Sequence, residues 1–237
     1  MEYDIYYHDD FDGMVSAAVM LDFLEKRGDK IKKFIPIKYD IRPRWPKVRF
    51  ARPTVIVDFY YHPAAAFWFD HHPTSFIKSE WKKKFRPDKF HHLGIKYSSC
   101  CHLVLNKLVK YFGYEPPRRL KELSHWADII DGANFRSARQ TIEIREPAMQ
   151  LFEFAEWHKI KNFDSKLIRL LSEKTIPEIV ALPRVRKEIV LIKKEKRSLL
   201  QIYKKNLKIY DKLTFINLTA AKGELRFAPF YLYPKVI

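Results

Sequence analysis

Four short apolar runs in the first seventy residues read as strands: 3–7 (YDIYY), 34–39 (FIPIKY), 54–58 (TVIVD) and 66–69 (AFWF). Between the first two, residues 14–26 carry apolar side chains at helical spacing, which predicts a helix following the first strand. A strand, a helix and further strands form a βαβ pattern, which favours a mostly parallel sheet. Residues 73–97 read as a long basic connection. Beyond it the spacing turns helical. Residues 98–112 begin with serines that suit a helix start and end at Gly113. Residues 117–131 read as another helix, and 147–182 as two or three short ones. Residues 184–209 form a long amphipathic stretch with ten Lys or Arg between Arg184 and Lys208, against only Glu188 and Glu195. Strand-like runs follow at 213–218 and 230–237.

The fold class expected from this order is α/β, a parallel sheet flanked by helices, followed by a helical region and a long basic connecting helix. The expected division is a catalytic domain over 1–183, a connecting helix over 184–210 and a short strand-bearing end over 211–237. Only 27 residues follow Tyr210, too few to bury a core of their own.

Composition narrows the function classes. Lys and Arg total 45 against 28 Asp and Glu, giving a formal net charge of +17. Such a surface attracts polyanions. No apolar run approaches the roughly 20 residues that span a bilayer. The start, MEYDIYYHDD, lacks the basic segment and apolar stretch of a signal peptide, so a cytoplasmic protein is expected. The only cysteines, Cys100 and Cys101, are adjacent, which suits ordinary half-buried thiols rather than a disulfide framework. Only six glycines occur, so glycine-rich phosphate loops are scarce.

The candidate chemistry lies where strands end. His8-Asp9-Asp10-Phe11-Asp12-Gly13 follows the first strand and precedes the first helix. Three carboxylates this close repel each other, and folding them together is costly unless a cation neutralises them. A solvated turn capping the helix is the plainer reading of that cluster alone. Asp58 closes the third apolar run. Asp70-His71-His72 closes the fourth, and carboxylate with imidazole suits Mn²⁺ or a similar cation. Asp128 falls late in a helical segment, with Asp131 one turn further on the same face as an alternative. In open α/β sheets ligand sites lie outside the C-terminal ends of the strands, so three strand ends would deliver Asp or His to one edge.

His8-x-Asp10-x-Asp12-Gly13, then Asp58, then Asp70-His71-His72, then Asp128 resembles the four ordered motifs of the DHH phosphoesterase superfamily. That superfamily includes RecJ-type exonucleases, oligoribonucleases, cyclic dinucleotide phosphodiesterases, polyphosphatases and pyrophosphatases. The resemblance spans about residues 1–135. It implies a two-metal phosphoesterase, with Mn²⁺ preferred and Mg²⁺ acceptable. Asp10, Asp12, Asp58, His71 and Asp128 would ligate, Asp58 would bridge, and His8 would join them. His72 would face the substrate phosphate, and Asp70 would orient a histidine from behind. Relatives of the nuclease type carry a C-terminal Gly-Gly-Gly-His segment that grips substrate, and this chain has none. Residues 213–237 resemble only the first strands of that domain.

Single-stranded nucleic acid or short oligonucleotides are the expected partners, because the positive surface is larger than a pyrophosphate needs. Trp81, Phe85 or Phe90 would stack bases in the basic loop. A polyphosphatase or pyrophosphatase, a cyclic dinucleotide phosphodiesterase, and a non-catalytic nucleic-acid or nucleotide-binding module are the rivals. His91, His92, His102 and His158 are expected to be inert.

Overall fold

Tyr7, Val57 and Phe69 lie side by side in the sheet, so the next residue on each strand, His8, Asp58 and Asp70, falls in one row at the sheet edge. This alignment arises from five parallel strands in the order β2-β1-β3-β4-β5. They are β1 (Glu2–His8), β2 (Lys30–Ile37), β3 (Thr54–Val57), β4 (Phe67–Asp70) and β5 (His91–Leu93). The chain runs from β1 to β2 on one side and then crosses to β3 on the other. That reversal opens a crevice between β1 and β3, the place where doubly wound sheets bind ligands. The computed structural model describes residues 1–158, 160–210, 213–219, 223–225 and 227–233.

Helix α1 (Phe11–Lys26) starts three residues before the apolar pattern does. Asp10 caps it, its side chain accepting from the Gly13 N–H at 2.9 Å, so a residue that could serve a cation also satisfies an orphan donor of the first turn. Residues 11–24 of α1 are all buried, because β1–β3, α3 (Cys100–Phe112), α4 (Arg118–Asp131) and α7 (Asp164–Glu173) surround it. An aromatic cluster of Trp45, Phe59, Tyr60 and Trp68 packs with Ile56 around Trp81 and Phe85. Trp81 lies on α2 (Ser79–Lys84). Trp81 and Phe85 are thus partly buried packing residues, not the open stacking platform the sequence suggested.

The basic connection is more structured than its composition implies. It contains α2 and β5, and β5 places His92 inside the protein at 5% exposure. Its ring stacks on Phe69 and Tyr111 at 5.8 and 5.2 Å between centroids. Burial, then Lys107, pushes its pKa down from 6.5 to about 4. The unfolded chain therefore takes up a proton that the folded chain refuses across this window. Stability is full above about pH 6.5 and falls as pH drops toward 4, by up to about 2 kcal/mol near pH 5. Urea unfolding of a His92→Phe variant should lack that part of the acid loss; an unchanged pH dependence would show that the proton goes elsewhere.

The remainder is mainly helical: α5 (Ala138–Glu143), α6 (Pro147–Trp157), α8 (Ile176–Ala181), α9 (Pro183–Asn206) and α10 (Ala228–Leu232), with an antiparallel pair β6 (Leu207–Tyr210) and β7 (Leu213–Ile216). The residues group into two compact units, Met1–Asn134 with Ile160–Thr175, and Phe135–Lys159 with Ile176–Ile237. A division at 183 differs from this grouping. Helices α6 and α8 pack on α9, whereas α7 packs on α1. Lys196, within the basic stretch, is buried against Glu153 and donates to the Thr141 carbonyl at 3.1 Å, so that helix is not a uniformly solvated cationic rod. The long helix ends at Asn206, because 207–210 pair with β7. Residues 230–232, expected as strand, belong to α10; 234–237 lie outside the described residues. No helix among the described residues is long and apolar enough to cross a membrane.

Candidate metal centre

Asp58, the residue after β3, lies in the left-handed region, with φ of 57°. Asp tolerates this better than most residues, but it is a strained way to leave a strand. Asp58 is 1% exposed, and neither of its carboxylate oxygens has a hydrogen-bond partner among the described residues. His8 Nδ1 stands 3.6 Å from Oδ2, and His71 Nε2 and His72 Nδ1 each stand 3.6 Å from Oδ1, beyond hydrogen-bond range. A buried carboxylate left so incompletely satisfied is costly.

Three sets of ligand atoms, each within 4.8 Å of one another, surround it: His8, Asp10 and Asp58; Asp12, His71 and Asp131; and Asp58, His71 and His72. His8 Nδ1 is 2.6 Å from Asp10 Oδ2. His71 Nε2 is 3.3 Å from Asp131 Oδ2 and 3.8 Å from Asp12 Oδ2. The other His71 nitrogen, Nδ1, meets the Tyr97 carbonyl at 3.1 Å. A carbonyl only accepts, so Nδ1 carries a proton, and in the neutral ring it is the Nε2 lone pair that faces the acids, the tautomer a cation requires. Asp12 accepts from the Cys100 and Cys101 N–H groups at 2.6 and 3.0 Å, which fix its orientation at the start of α3. Gly13 allows α1 to begin this close to β1: a Cβ there would lie 2.1 Å from the His8 carbonyl oxygen.

The charge balance records the crowding. Burial and then Asp58 and Asp131 push Asp12 well above the usual carboxylate range. Burial and Asp10 raise Asp58, and burial with Asp58 raises Asp131 to about 6. Burial also opposes ionisation of Asp10, but His8 more than offsets it and the net shift is downward. Burial opposes charging His8 and His71, yet the surrounding carboxylates raise both to about 10. A site that holds its carboxylates against repulsion, with both Asp58 oxygens unsatisfied and His71 Nε2 aimed inward, fits hard or borderline divalent cations.

Asp70 is turned away from this set. Its Oδ1 accepts from the His71 and His72 N–H groups at 2.8 and 3.3 Å and meets His72 Nδ1 at 2.8 Å, raising the pKa of that imidazole. His72 is therefore oriented by Asp70, its Nε2 left for another partner.

Asp128 lies outside the cluster. Ser99 Oγ donates to its Oδ1 at 2.6 Å, and His102 Nδ1 lies 2.8 Å from its Oδ2. Asp131, one turn later on α4, enters in its place. The shared helical face was visible in the sequence; which of the two acids faced α3 and which faced the crevice was not. Tyr97, Ser99, Cys100 and Cys101 were missed as supporting groups, because three of the four contacts they supply are main-chain and carry no residue-type signal. The cysteines themselves are fully buried rather than half-buried, and burial pushes both thiols far up.

If Asp131 is the ligand, an Asp131→Asn variant should lose Mn²⁺ affinity by at least about tenfold. Asp128→Ala should keep that affinity and lose about 1 kcal/mol of stability with the Ser99 bond. Calorimetric titration and melting of the two variants check this; the reverse pattern would restore Asp128 as the ligand.

No protein-family model matches the chain, and no curated protein matches it in sequence. Among solved structures, it superposes on the pGpG-specific phosphodiesterase PggH from Vibrio cholerae with a TM-score of 0.75 and 21% identity, covering 98% of this chain and 74% of that one. It superposes on manganese-bound exonuclease RecJ with a TM-score of 0.50 and 14% identity, covering 84% of this chain and 64% of that one. The chain therefore shares the α/β fold of these two proteins.

Proposed function

We propose that the protein is a metal-dependent phosphodiesterase of the DHH type acting on short single-stranded oligonucleotides. The observation that carries this reading is Asp58, a buried carboxylate with both oxygens unsatisfied, standing between one ligand set from β1 and another from α1, β4 and α4. His8 and Asp10 would hold one divalent cation and Asp12, His71 and Asp131 the other, with Asp58 shared. When bound, two such cations acidify a water and neutralise charge on the attacked phosphoryl group. Mn²⁺ is the preferred ion and Mg²⁺ an acceptable one, as imidazole with carboxylate suits the former.

The protein's own groups do the rest. Asp70 holds His72 so that, with the ring protonated, Nε2–H donates to a phosphoryl oxygen, an interaction that strengthens as charge develops there. The Cys100 and Cys101 N–H groups keep Asp12 in place without a side-chain donor that would compete for the cation. The PggH likeness favours a linear dinucleotide such as pGpG over a long strand, and the positive surface favours an anionic chain over pyrophosphate. Hydrolysis of pGpG, longer single strands, cyclic dinucleotides and polyphosphate with Mn²⁺ tests the reading; turnover of polyphosphate alone would sink it.

Binding should also carry a salt signature. The logarithm of affinity for a single strand should fall against the logarithm of salt with a slope of about −0.7 per phosphate neutralised. A flat response in a filter-binding titration would remove nucleic acid as the partner.

A further inference from the structure

The segment from Tyr97 to His102 forms one wall of the acidic pocket. Its Tyr97 carbonyl meets His71, and its Cys100 and Cys101 N–H groups hold Asp12. His102 is the next residue on the first turn of α3, and the metal set does not use it. Its Nδ1 is 2.8 Å from Asp128 Oδ2. A carboxylate only accepts, so Nδ1 carries a proton, and in the neutral ring Nε2 keeps its lone pair. Nε2 has no hydrogen-bond partner among the described residues, and the side chain is 49% exposed. Asp128 lies one helical turn from Asp131, about 4.5 Å along the axis, so the imidazole it holds stands at the pocket rim. The Tyr97 ring meets that imidazole edge to face, 5.2 Å between centroids, and its hydroxyl donates to Asn106 at 3.0 Å.

An exposed imidazole–carboxylate pair contributes little to stability, because it costs side-chain entropy and is screened by water. Here the pair fixes one ring nitrogen and frees the other beside an aromatic face, at the mouth of a site that takes phosphates. Aromatic side chains stack bases whatever their identity, and a fixed imidazole nitrogen can accept from a ribose hydroxyl or a base N–H.

We propose that His102, oriented by Asp128 and flanked by Tyr97, forms a nucleoside subsite at the rim of the metal pocket, contacting the nucleoside next to the scissile phosphate. The inference rests on the phosphodiesterase reading of that pocket. It departs from the expectation that His102 is inert, and it gives Asp128 a positioning role in place of metal ligation. It also places a substrate contact on α3.

The test compares two substrates with Mn²⁺: pGpG, and methyl p-nitrophenyl phosphate, which has the scissile diester but no nucleoside. His102→Ala should raise KM for pGpG about tenfold, the effect of losing about 1.4 kcal/mol, while turnover of the small ester and calorimetric Mn²⁺ affinity stay at wild-type values. His102→Gln, which can still reach Asp128, should recover part of the loss, and melting temperatures show that both variants fold. Equal losses on both substrates, or no loss on pGpG, would overturn the subsite. Should the wild-type protein turn over neither substrate, the phosphodiesterase reading fails on its own. Calorimetric binding of pGpG then decides the subsite: about tenfold weaker binding to His102→Ala supports it, and equal affinity overturns it.

Discussion

Asp58→Asn should abolish the response of the protein to Mn²⁺ without destabilising the metal-free fold. The side chain is 1% exposed, both oxygens lack hydrogen-bond partners among the described residues, and burial with Asp10 disfavours its charge. Removing that charge relieves repulsion, so the metal-free variant should melt at or a few degrees above the wild-type temperature, as at sites where function is held against stability. In the wild-type protein, a cation at a hundred times its dissociation constant adds about 2.7 kcal/mol, which in a chain of this size raises the melting temperature by about 5–10 °C. The variant should show little of that rise, and turnover should fall at least about a thousandfold if the shared carboxylate organises the reaction. Thermal melts with and without Mn²⁺, beside the oligonucleotide assay, read all three effects. A variant that melts lower without metal yet keeps the Mn²⁺ shift would mean that Asp58 is a structural carboxylate.

His71 and His72 are neighbours with different surroundings, and their losses should differ accordingly. His71 points Nε2 at Asp12, Asp58 and Asp131, with Nδ1 on a carbonyl. His71→Ala should weaken Mn²⁺ binding about 10- to 100-fold, and excess Mn²⁺ should recover part of the activity. His72 has Nδ1 on Asp70 and Nε2 left for substrate. His72→Ala should bind Mn²⁺ nearly as the wild type does and lose about 10²- to 10³-fold in kcat, because the interaction is made mainly in the transition state. Calorimetric titration and kinetics of the two variants separate these patterns. Equal metal loss in both would show that His72 is also a ligand, consistent with its place 3.6 Å from Asp58.

The short apolar runs and the helical spacing were enough for the α/β class, and the strand-end positions of Asp10, Asp58 and Asp70 followed from where each apolar run stopped. These features are local: a buried strand needs a continuous apolar run, and the first polar residue after it must leave the sheet. The ligand types were legible for the same reason, since few apolar strands end in Asp-His-His without a use for it. One strand went unread and one strand-like reading failed, both through tertiary context. Residues 91–93 hardly read as a strand, because His-His-Leu has little β signal and is recruited only by pairing with β4. Residues 230–232 have aromatic strand propensity but form a helix.

What the tertiary structure alone decided was direction. On α4, Asp128 and Asp131 share a face, and the spacing cannot say which acid meets α3 and which meets β4; the packing of α3 assigned Ser99 and His102 to the first and His71 to the second. The main-chain donors on Asp12 were equally hidden, because any residues at 100 and 101 would supply an N–H there. The grouping of α7 with α1, and of α6 and α8 with α9, depends on which apolar face each helix buries. Sequence gives the existence of such a face, and only the assembled fold gives its partner.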